Sequence, residues 1–433
     1  MISIKNLKDL SSSEKNKLIN RFGDDFSSIM INKVIPIVNE VKKKGDRAVL
    51  DYTLKFDKVK IKNLIVSEKE KNEAYQKVSK KDLAAFKRAK KNIIEYHRHQ
   101  QQKKDFSFVR KDKTKLGLFH QPIEKAAIYV PGGKAAYPSS VLMGVIPAKL
   151  AGVKEISLIS PPNKEGKIND LVLALSKELK IDQVIKAGGA QGIAAAAWGT
   201  KSVNKVDIIV GPGNIFVAAA KAFLFSLGVI QIDSLAGPSE VLVVADKEAN
   251  PKWLAYDLLS QAEHDEKAIS LLLTPSKKLA VQVKDEINKD LSKKKGRSQI
   301  KIESIRKYGL ILVVKNLAEA ISFSNAYAPE HMQLIVKNPG KYLKQIKNVG
   351  SLFLGEYTPV AVGDYFSGTN HILPTGGAAR FSSGTSVDTF LRKTFYQQFT
   401  SQGLKQASKS IKTMAEAEGF EDKHFGSVDI RLK

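Results

Sequence analysis

The chain contains no cysteine, and of its absences this one excludes the most. Disulfides are ruled out, as are thiolate metal ligands and the thiol nucleophile with which many aldehyde-oxidising enzymes trap their substrate. Any metal must be held by nitrogen and oxygen donors. Long apolar runs are missing too. Residues 215–230 are among the longest and are interrupted by Lys221, and no apolar h-region follows the basic residues of the N-terminus. These absences lead to the expectation of a soluble, cytoplasmic protein with no membrane partner. Acidic side chains are scarce beside basic ones, 44 against 70, for a formal charge of +26. Such a charge raises nucleic acid as a partner, because clustered cations release counterions from phosphates. Here the cations are mostly lysines spread along amphipathic stretches such as 80–91 and 277–301, without interleaved aromatics, zinc-finger spacing or an RNP-type motif. A lysine-biased solvated surface is expected, and no nucleic-acid partner.

What is present is core material: 433 residues, 43% hydrophobic, enough for more than one domain. Residues 1 to about 120 are rich in Lys, Asp and Glu and carry helical apolar spacing, as in Leu83, Phe86, Ala89, Ile93, Ile94 and His97, so this region reads as helical. From Ala126 the texture changes to short β-branched runs (127–130, 155–160, 183–187, 207–210) separated by apolar segments of helical length (139–153, 170–180, 192–199, 214–228). A second series of strand-like runs follows at 241–245, 269–274, 310–314 and 332–336. Strand and helix alternating in this way predict α/β architecture with parallel sheets, in two tandem units that meet softly near residues 230–240.

The run richest in site-like residues is Gly363-Asp-Tyr-Phe-Ser-Gly-Thr-Asn-His371-Ile-Leu-Pro-Thr-Gly-Gly-Ala-Ala-Arg-Phe-Ser-Ser-Gly384. Asp364, His371 and Arg380 are costly to order among glycines and small hydroxyls unless they bind something. Two more acid-and-imidazole clusters lie upstream, Gln261-Ala-Glu-His264-Asp265 and Ala328-Pro-Glu330-His331, and His424 lies near the end. The i, i+3 spacing of Gln261 and His264 in the helical stretch 251–265 puts both on one face, the geometry two metal ligands need; Asp364 and His424 could complete an N/O donor set suited to zinc. Taken singly, each reads better as a core histidine or a surface acid; it is their coincidence in a chain without cysteine that favours a metal site. Glu330 and His331, placed just before the strand expected at Met332, supply a carboxylate and an imidazole able to move protons, or else a surface Glu beside a helix-terminal His; periodicity does not separate the two. Glycine turns 130–133, 187–192 and 211–214 each follow an expected strand. Each fits strand-to-helix punctuation as well as a phosphate cradle, but three in one half of the chain favour a dinucleotide held in a nonstandard way.

These motifs, together with Asn92-Ile-x-x-Tyr-His97-x-x-Gln100, Tyr129-Val-Pro-Gly-Gly133, Gly188-Gly-Ala-Gln191-Gly, Gly211-Pro-Gly-Asn214 and Ala236-Gly-Pro-Ser239-Glu-Val-Leu, make the chain resemble histidinol dehydrogenases, and the resemblance runs through nearly its whole length. It implies zinc held by Gln261, His264, Asp364 and His424, with Glu330 and His331 as the acid/base pair. Ser239, His371 and Glu418 are similar to residues around the substrate, L-histidinol, alongside the metal ligands and the acid/base pair. Tyr129, Gln191 and Asn214 match positions that contact NAD. The implied fold is two incomplete Rossmann-like units with helical N- and C-terminal segments, in a segment-exchanged homodimer. Residues 1–24 with 385–410 would form a helical arm, and 25–128 with 239–384 the α/β domain of the metal and catalytic site. Residues 129–238 would form the NAD-contacting domain, and 411–433 a tail completing the partner's site. The family's C-terminal motif has a Glu five residues before its histidine ligand. Gly419 holds that place here, so Glu418 is the expected carboxylate and Glu421 the alternative, while the matching spacing to Val428 and Arg431 keeps His424 in place. The resemblance implies two successive hydride transfers, from alcohol to aldehyde to acid. The rivals are another alcohol dehydrogenase on the same scaffold, a zinc hydrolase and a nucleic-acid-binding protein.

Overall fold

The computed structural model of the chain describes all residues except 1, 22–25, 103–104, 133–136, 236, 294 and 421. Gly133, Ala236 and Glu421 of the motifs above therefore lie outside the described residues. The strands in chain order are β1 (Ser3–Asn6), β2 (Phe106–Val109), β3 (Lys115–Pro122), β4 (Lys125–Tyr129), β5 (Glu155–Ser160), β6 (Gln183–Lys186), β7 (Ile208–Val210), β8 (Gln231–Ile232), β9 (Glu240–Ala245), β10 (Ile269–Thr274), β11 (Gly309–Val313), β12 (His331–Ile335), β13 (Ser351–Leu354) and β14 (Leu391–Gln398). They form two parallel sheets, β6-β5-β4-β7-β8 and β1-β11-β10-β9-β12-β13, and one antiparallel sheet, β14-β3-β2. The chain passes from the first parallel sheet to the second between Ile232 and Glu240.

Both parallel sheets are covered on both faces, which is why strands such as β9 are buried at every position. On the five-stranded sheet, helices Lys80–Arg98 and Pro138–Ala151 pack Ile93, Val145 and Leu142 against Ile128 and Leu158. Helices Ile35–Lys44, Gly189–Trp198 and Ile215–Ser226 bring Val38, Ile193 and Val217 to the opposite face. On the six-stranded sheet, Leu254, Leu258 and Val283 of helices Pro251–Ala262 and Lys277–Leu291 cover Val241 and Leu272, while Phe323 and Tyr327 of helix Leu317–Tyr327 cover Leu242 and Met332.

Three expectations are corrected. Ser3–Asn6 is an edge strand on β11, not part of a helical arm; four residues are too few to declare a period against the charged helix that follows. Residues 106–122 and 391–398, expected as helical, pair in the antiparallel sheet, where Leu391–Gln398 runs opposite 115–122. The helices between residues 34 and 98 cover the five-stranded sheet and not the six-stranded one, with helix Lys80–Arg98 also touching the 366–372 loop, because an amphipathic stripe declares that a face is apolar without naming the sheet it meets. Among the described residues, no helix is long and apolar enough to cross a membrane.

Candidate active site

Helix Leu317–Tyr327, capped by the Asn316 side chain, stops where Ala328 turns to φ 52° and Pro329 follows. The next two residues, Glu330 and His331, are thereby delivered to the amino end of β12, which starts at His331, one residue earlier than expected. His331 stands opposite Val241 of β9 and Ser351 of β13. The sheet's winding reverses at β9, so the pair sits beside the switch point, but at the amino edge rather than the carboxyl edge where doubly wound sheets usually bind ligands.

Glu330 and His331 are 6% and 5% exposed, so both need polar partners. The backbone of Glu240 supplies them. Its N–H donates to Glu330 Oε2 at 2.9 Å, and its carbonyl faces His331 Nδ1 at 3.1 Å. His331 Nδ1 also lies 3.5 Å from Glu330 Oε2. His331 Nε2, buried and without a hydrogen-bond partner, is 3.9 Å from Asp364 Oδ1. Burial acts to lower the His331 pKa, but the Glu330 and Asp364 carboxylates outweigh it and raise it to about 9.

Asp364 lies on the short helix Val360–Tyr365, just ahead of the glycine loop in which the sequence reading placed it. His371 folds back on it, with Nδ1 3.0 Å from the Asp364 carbonyl and Nε2 3.2 Å from Ser140 Oγ. Burial lowers the His371 pKa, and a neutral ring that donates from Nδ1 accepts the Ser140 hydroxyl at Nε2. Arg380 donates to the carbonyls of Ile19 and Ala326, so it anchors the loop to backbone. Gln261 is buried in the last turn of helix Pro251–Ala262. His264 is past that helix, not within it; its N–H bonds the Gln261 carbonyl at 3.2 Å, so a closing turn keeps the two adjacent. The Tyr365 pKa is raised first by burial, then by the charges of Asp364 and, from the His264 turn, Glu263, which puts that turn within electrostatic reach of the Asp364 helix. Ser239 precedes β9, its carbonyl taking the Ile269 N–H at 3.0 Å.

Glu418 and His424 are not brought to this cluster. Glu418 is the exposed C-cap of helix Ser401–Ala417, and exposed His424 meets the Phe420 ring at 5.8 Å. Among the described residues, no three His, Asp or Glu side chains come together as a metal-binding group.

A second group of expected residues lines the carboxyl edge of the five-stranded sheet. Tyr129 ends β4, and its hydroxyl accepts the Gly189 N–H at 3.1 Å. Gln191 is buried in helix Gly189–Trp198. Asn214 caps helix Ile215–Ser226, accepting the Phe216 and Val217 N–H groups at 3.0 and 3.2 Å through Oδ1. Packing of the turns on one another requires two of the glycines. A Cβ on Gly188 would fall 2.7 Å from Pro161 Cβ, and Gly211, at φ 126°, presses against the Tyr129 carbonyl. Asp57, unmarked in the sequence, ends helix Asp46–Asp57, the unfavourable end for a carboxylate. Its Oδ2 is buried without a hydrogen-bond partner, burial raises its pKa to about 6, and its charge reaches the Tyr129 hydroxyl.

The histidinol dehydrogenase family model matches residues 21–432. The chain belongs to the histidinol dehydrogenase family. It is 46% identical over 425 residues to the histidinol dehydrogenase of Leptospira interrogans, covering 98% of each chain, and 46% identical over 431 residues to that of Methanocaldococcus jannaschii, covering 99% of each. The crystal structure of histidinol dehydrogenase from Elizabethkingia anophelis matches with a TM-score of 0.90 at 37% identity, over 100% of this chain and 98% of that one. Membership of the histidinol dehydrogenase family makes the chain an oxidoreductase.

Beyond the residues read from the sequence, this histidinol dehydrogenase family member surrounds its site with Arg21, Glu240, Tyr327, Asp257 and Gln333. Glu240 could have been noticed as a charge opening a wholly apolar strand, which demands a buried partner; Arg21 carried no signal. Asp257 lies one turn before Gln261, and Gln333 two residues after His331 on the same strand face. Burial raises the Asp257 pKa to about 6, with a Gln333 hydrogen bond opposing. As the pH falls from 6 towards 4 the folded carboxyl is protonated and most of the difference is lost; above pH 6 folded and unfolded carboxyls are both ionised and only the folded one is buried, at a cost on the order of 2–3 kcal/mol. Asp257→Asn is therefore expected to raise the thermal midpoint at pH 8 and to raise it much less at pH 4. Melts at the two pH values check this, and an equal or lower midpoint at pH 8 would contradict it.

Proposed function

We propose that the chain catalyses the zinc-dependent, four-electron oxidation of L-histidinol to L-histidine through histidinal, using two NAD in succession, as the last step of histidine biosynthesis, in the cytoplasm and as a homodimer. The observation that carries this reading is the buried pair Glu330 and His331, oriented through the Glu240 backbone, with His331 Nε2 unpartnered 3.9 Å from Asp364.

The available donors suit zinc: nitrogen and oxygen ligands in a chain without cysteine. Gln261, His264 and Asp364 would hold it together with His424 of the partner subunit, and bound there it would supply a fixed cation for the substrate's imidazole and amine nitrogens. Exposure of Glu418 and His424 on the tail supports that arrangement. Tyr129, Gln191 and Asn214 would contact NAD, which supplies the hydride acceptor, and the orphaned Asp57 Oδ2 beside Tyr129 suits a hydroxyl donor such as a ribose offers.

The protein's own part is proton transfer. In its neutral form, which a pKa of about 9 makes the major one only at alkaline pH, His331 donates Nδ1–H to the Glu240 carbonyl and has its lone pair on Nε2, where it accepts the alcohol proton as hydride leaves the carbon. Glu330, fixed through Oε2, has Oε1 to deprotonate a water that adds to the aldehyde. His331 returns its proton to the aldehyde oxygen as water adds, and then accepts a proton from the hydrate as the second hydride leaves. Without a cysteine there is no thiohemiacetal route, so hydration is the step that prepares the aldehyde for oxidation. Ser239, His371 and Glu418 of the partner subunit would surround the substrate.

The test is NADH formation from L-histidinol before and after chelation. Two NADH per histidinol consumed, lost on chelation and restored by zinc, is the expected result. No turnover by metal-replete protein that still binds NAD would move the assignment to another alcohol substrate, and hydrolysis of an amide without NAD binding to a zinc hydrolase.

A further inference from the structure

Glu240 opens β9 with its side chain 1% exposed, and the chain spends an unusual number of donors on it. Oε2 accepts Arg21 Nε–H at 2.6 Å and the Tyr327 hydroxyl at 3.1 Å. Oε1 accepts Arg21 Nη2–H at 2.6 Å, the Gly376 N–H at 3.1 Å and the Glu330 N–H at 3.3 Å. Arg21 is equally committed. Besides the two bonds to Glu240, Nη1 donates to the carbonyls of Tyr327 at 2.7 Å and Ile19 at 3.2 Å, and Nη2 to that of Ala328 at 3.4 Å. All five guanidinium N–H groups thus find acceptors, and its plane lies 3.5 Å over the Tyr327 ring.

These partners are the elements that deliver the acid/base pair. Tyr327 and Ala328 end the preceding helix, Glu330 is itself bonded through its amide, Gly376 belongs to the loop after His371, and Glu240 holds Glu330 and His331 through its backbone. Ala328 needs such support, because a non-glycine residue at φ 52° is held there by its surroundings. Arg21 also brings one positive charge to a region where Glu240, Glu330 and Asp364 all carry carboxylates.

We infer that the Arg21–Glu240 pair is the positioning device of the reaction: a planar, two-pronged ion pair that locks the Tyr327–His331 segment against β9, so that Glu330 and His331 meet the substrate in one geometry. The inference rests on the proposed histidinol oxidation, but its structural half does not. Neither residue touches the reacting atoms, and the fork geometry of arginine is required, not charge alone.

Arg21→Lys tests it, since the charge stays and the fork is lost. The expected result is a fall in kcat of about 10- to 100-fold with KM for histidinol nearly unchanged, as misplacement of catalytic groups gives. Parental kcat in folded Arg21→Lys would overturn it. Where Arg21→Lys does not fold, Tyr327→Phe removes a single donor from Glu240: a severalfold lower kcat at unchanged KM supports the inference, and parental kcat overturns it. Turnover of histidinol by the parent protein in the same assay tests the functional reading separately. An activity-independent check is the ligand-free crystal structure of the folded variant: Glu330 and His331 displaced from the Glu240 backbone support the inference, and parental placement of both contradicts it.

Discussion

His331→Asn is expected to lose both oxidation steps, by roughly 10²–10⁴-fold, the range that a positioned acid/base group supplies. The size follows from the site's geometry. Asparagine can still offer an amide N–H to the Glu240 carbonyl that faces Nδ1 at 3.1 Å, so the local backbone is not disturbed. What it lacks is a proton acceptor where Nε2 stands, buried and unpartnered, next to Asp364. One group serves both half-reactions in this scheme, so oxidation of added histidinal must fall together with oxidation of histidinol. Zinc content and NAD binding should be unchanged, since His331 is placed in neither set. Normal oxidation of histidinal by the variant would show that the second step uses another base, with Glu330 the first candidate.

Two inactive variants are expected to restore each other when mixed. The tail residues Glu418 and His424 are exposed and far from Gln261, His264 and Asp364 in the sense that no shared cluster forms among the described residues. Met414 and Phe420 beside them, and Phe106, Phe108 and Phe395 of the antiparallel sheet that leads into the tail helix, also present large apolar side chains to solvent. In helix Ser401–Ala417 the buried residues are Gly403 and Ala415. A surface of that kind is covered by another molecule when the protein assembles. If the tail completes the site of a second copy, His424→Ala and His331→Asn homodimers are each inactive. Their heterodimer has one site built from an intact core and an intact tail, and one doubly damaged site. Random redistribution makes half of the dimers mixed, so about a quarter of parental activity should return. Assay before and after exchange in mild denaturant measures this. No recovery, with exchange verified by mass, would put the tail in its own chain's site.

Several parts of the architecture are legible in the sequence. The β-branched runs at 127–130, 155–160, 241–245 and 269–274 sit within or against parallel strands because fully buried strands are written as continuous apolar runs. The acid-and-imidazole clusters were legible because such residues among glycines have no packing reason to be there. Helical and strand character at 106–122 and 391–398 was misread because the antiparallel sheet is half exposed and rich in Lys and Gln, which blurs its alternation. The glycine turns were ambiguous, and Gly188 and Gly211 prove to be needed by the packing of the turns themselves.

By itself the sequence determined which chemical groups the protein can use: no thiols, a small set of histidines with acids beside them, and enough apolar strand and helix to build two parallel sheets. Residue type and local period carry that information, since each depends on neighbours within a few positions. Only the tertiary structure decided which sheet the helices before residue 98 cover, that the acid/base pair stands at the amino edge of its sheet, and that Glu240 organises it. Arg21 and Glu240 are 219 positions apart, and no local pattern records a partner at that separation; the pairing exists because burying either charge alone would be too costly for the fold to hold.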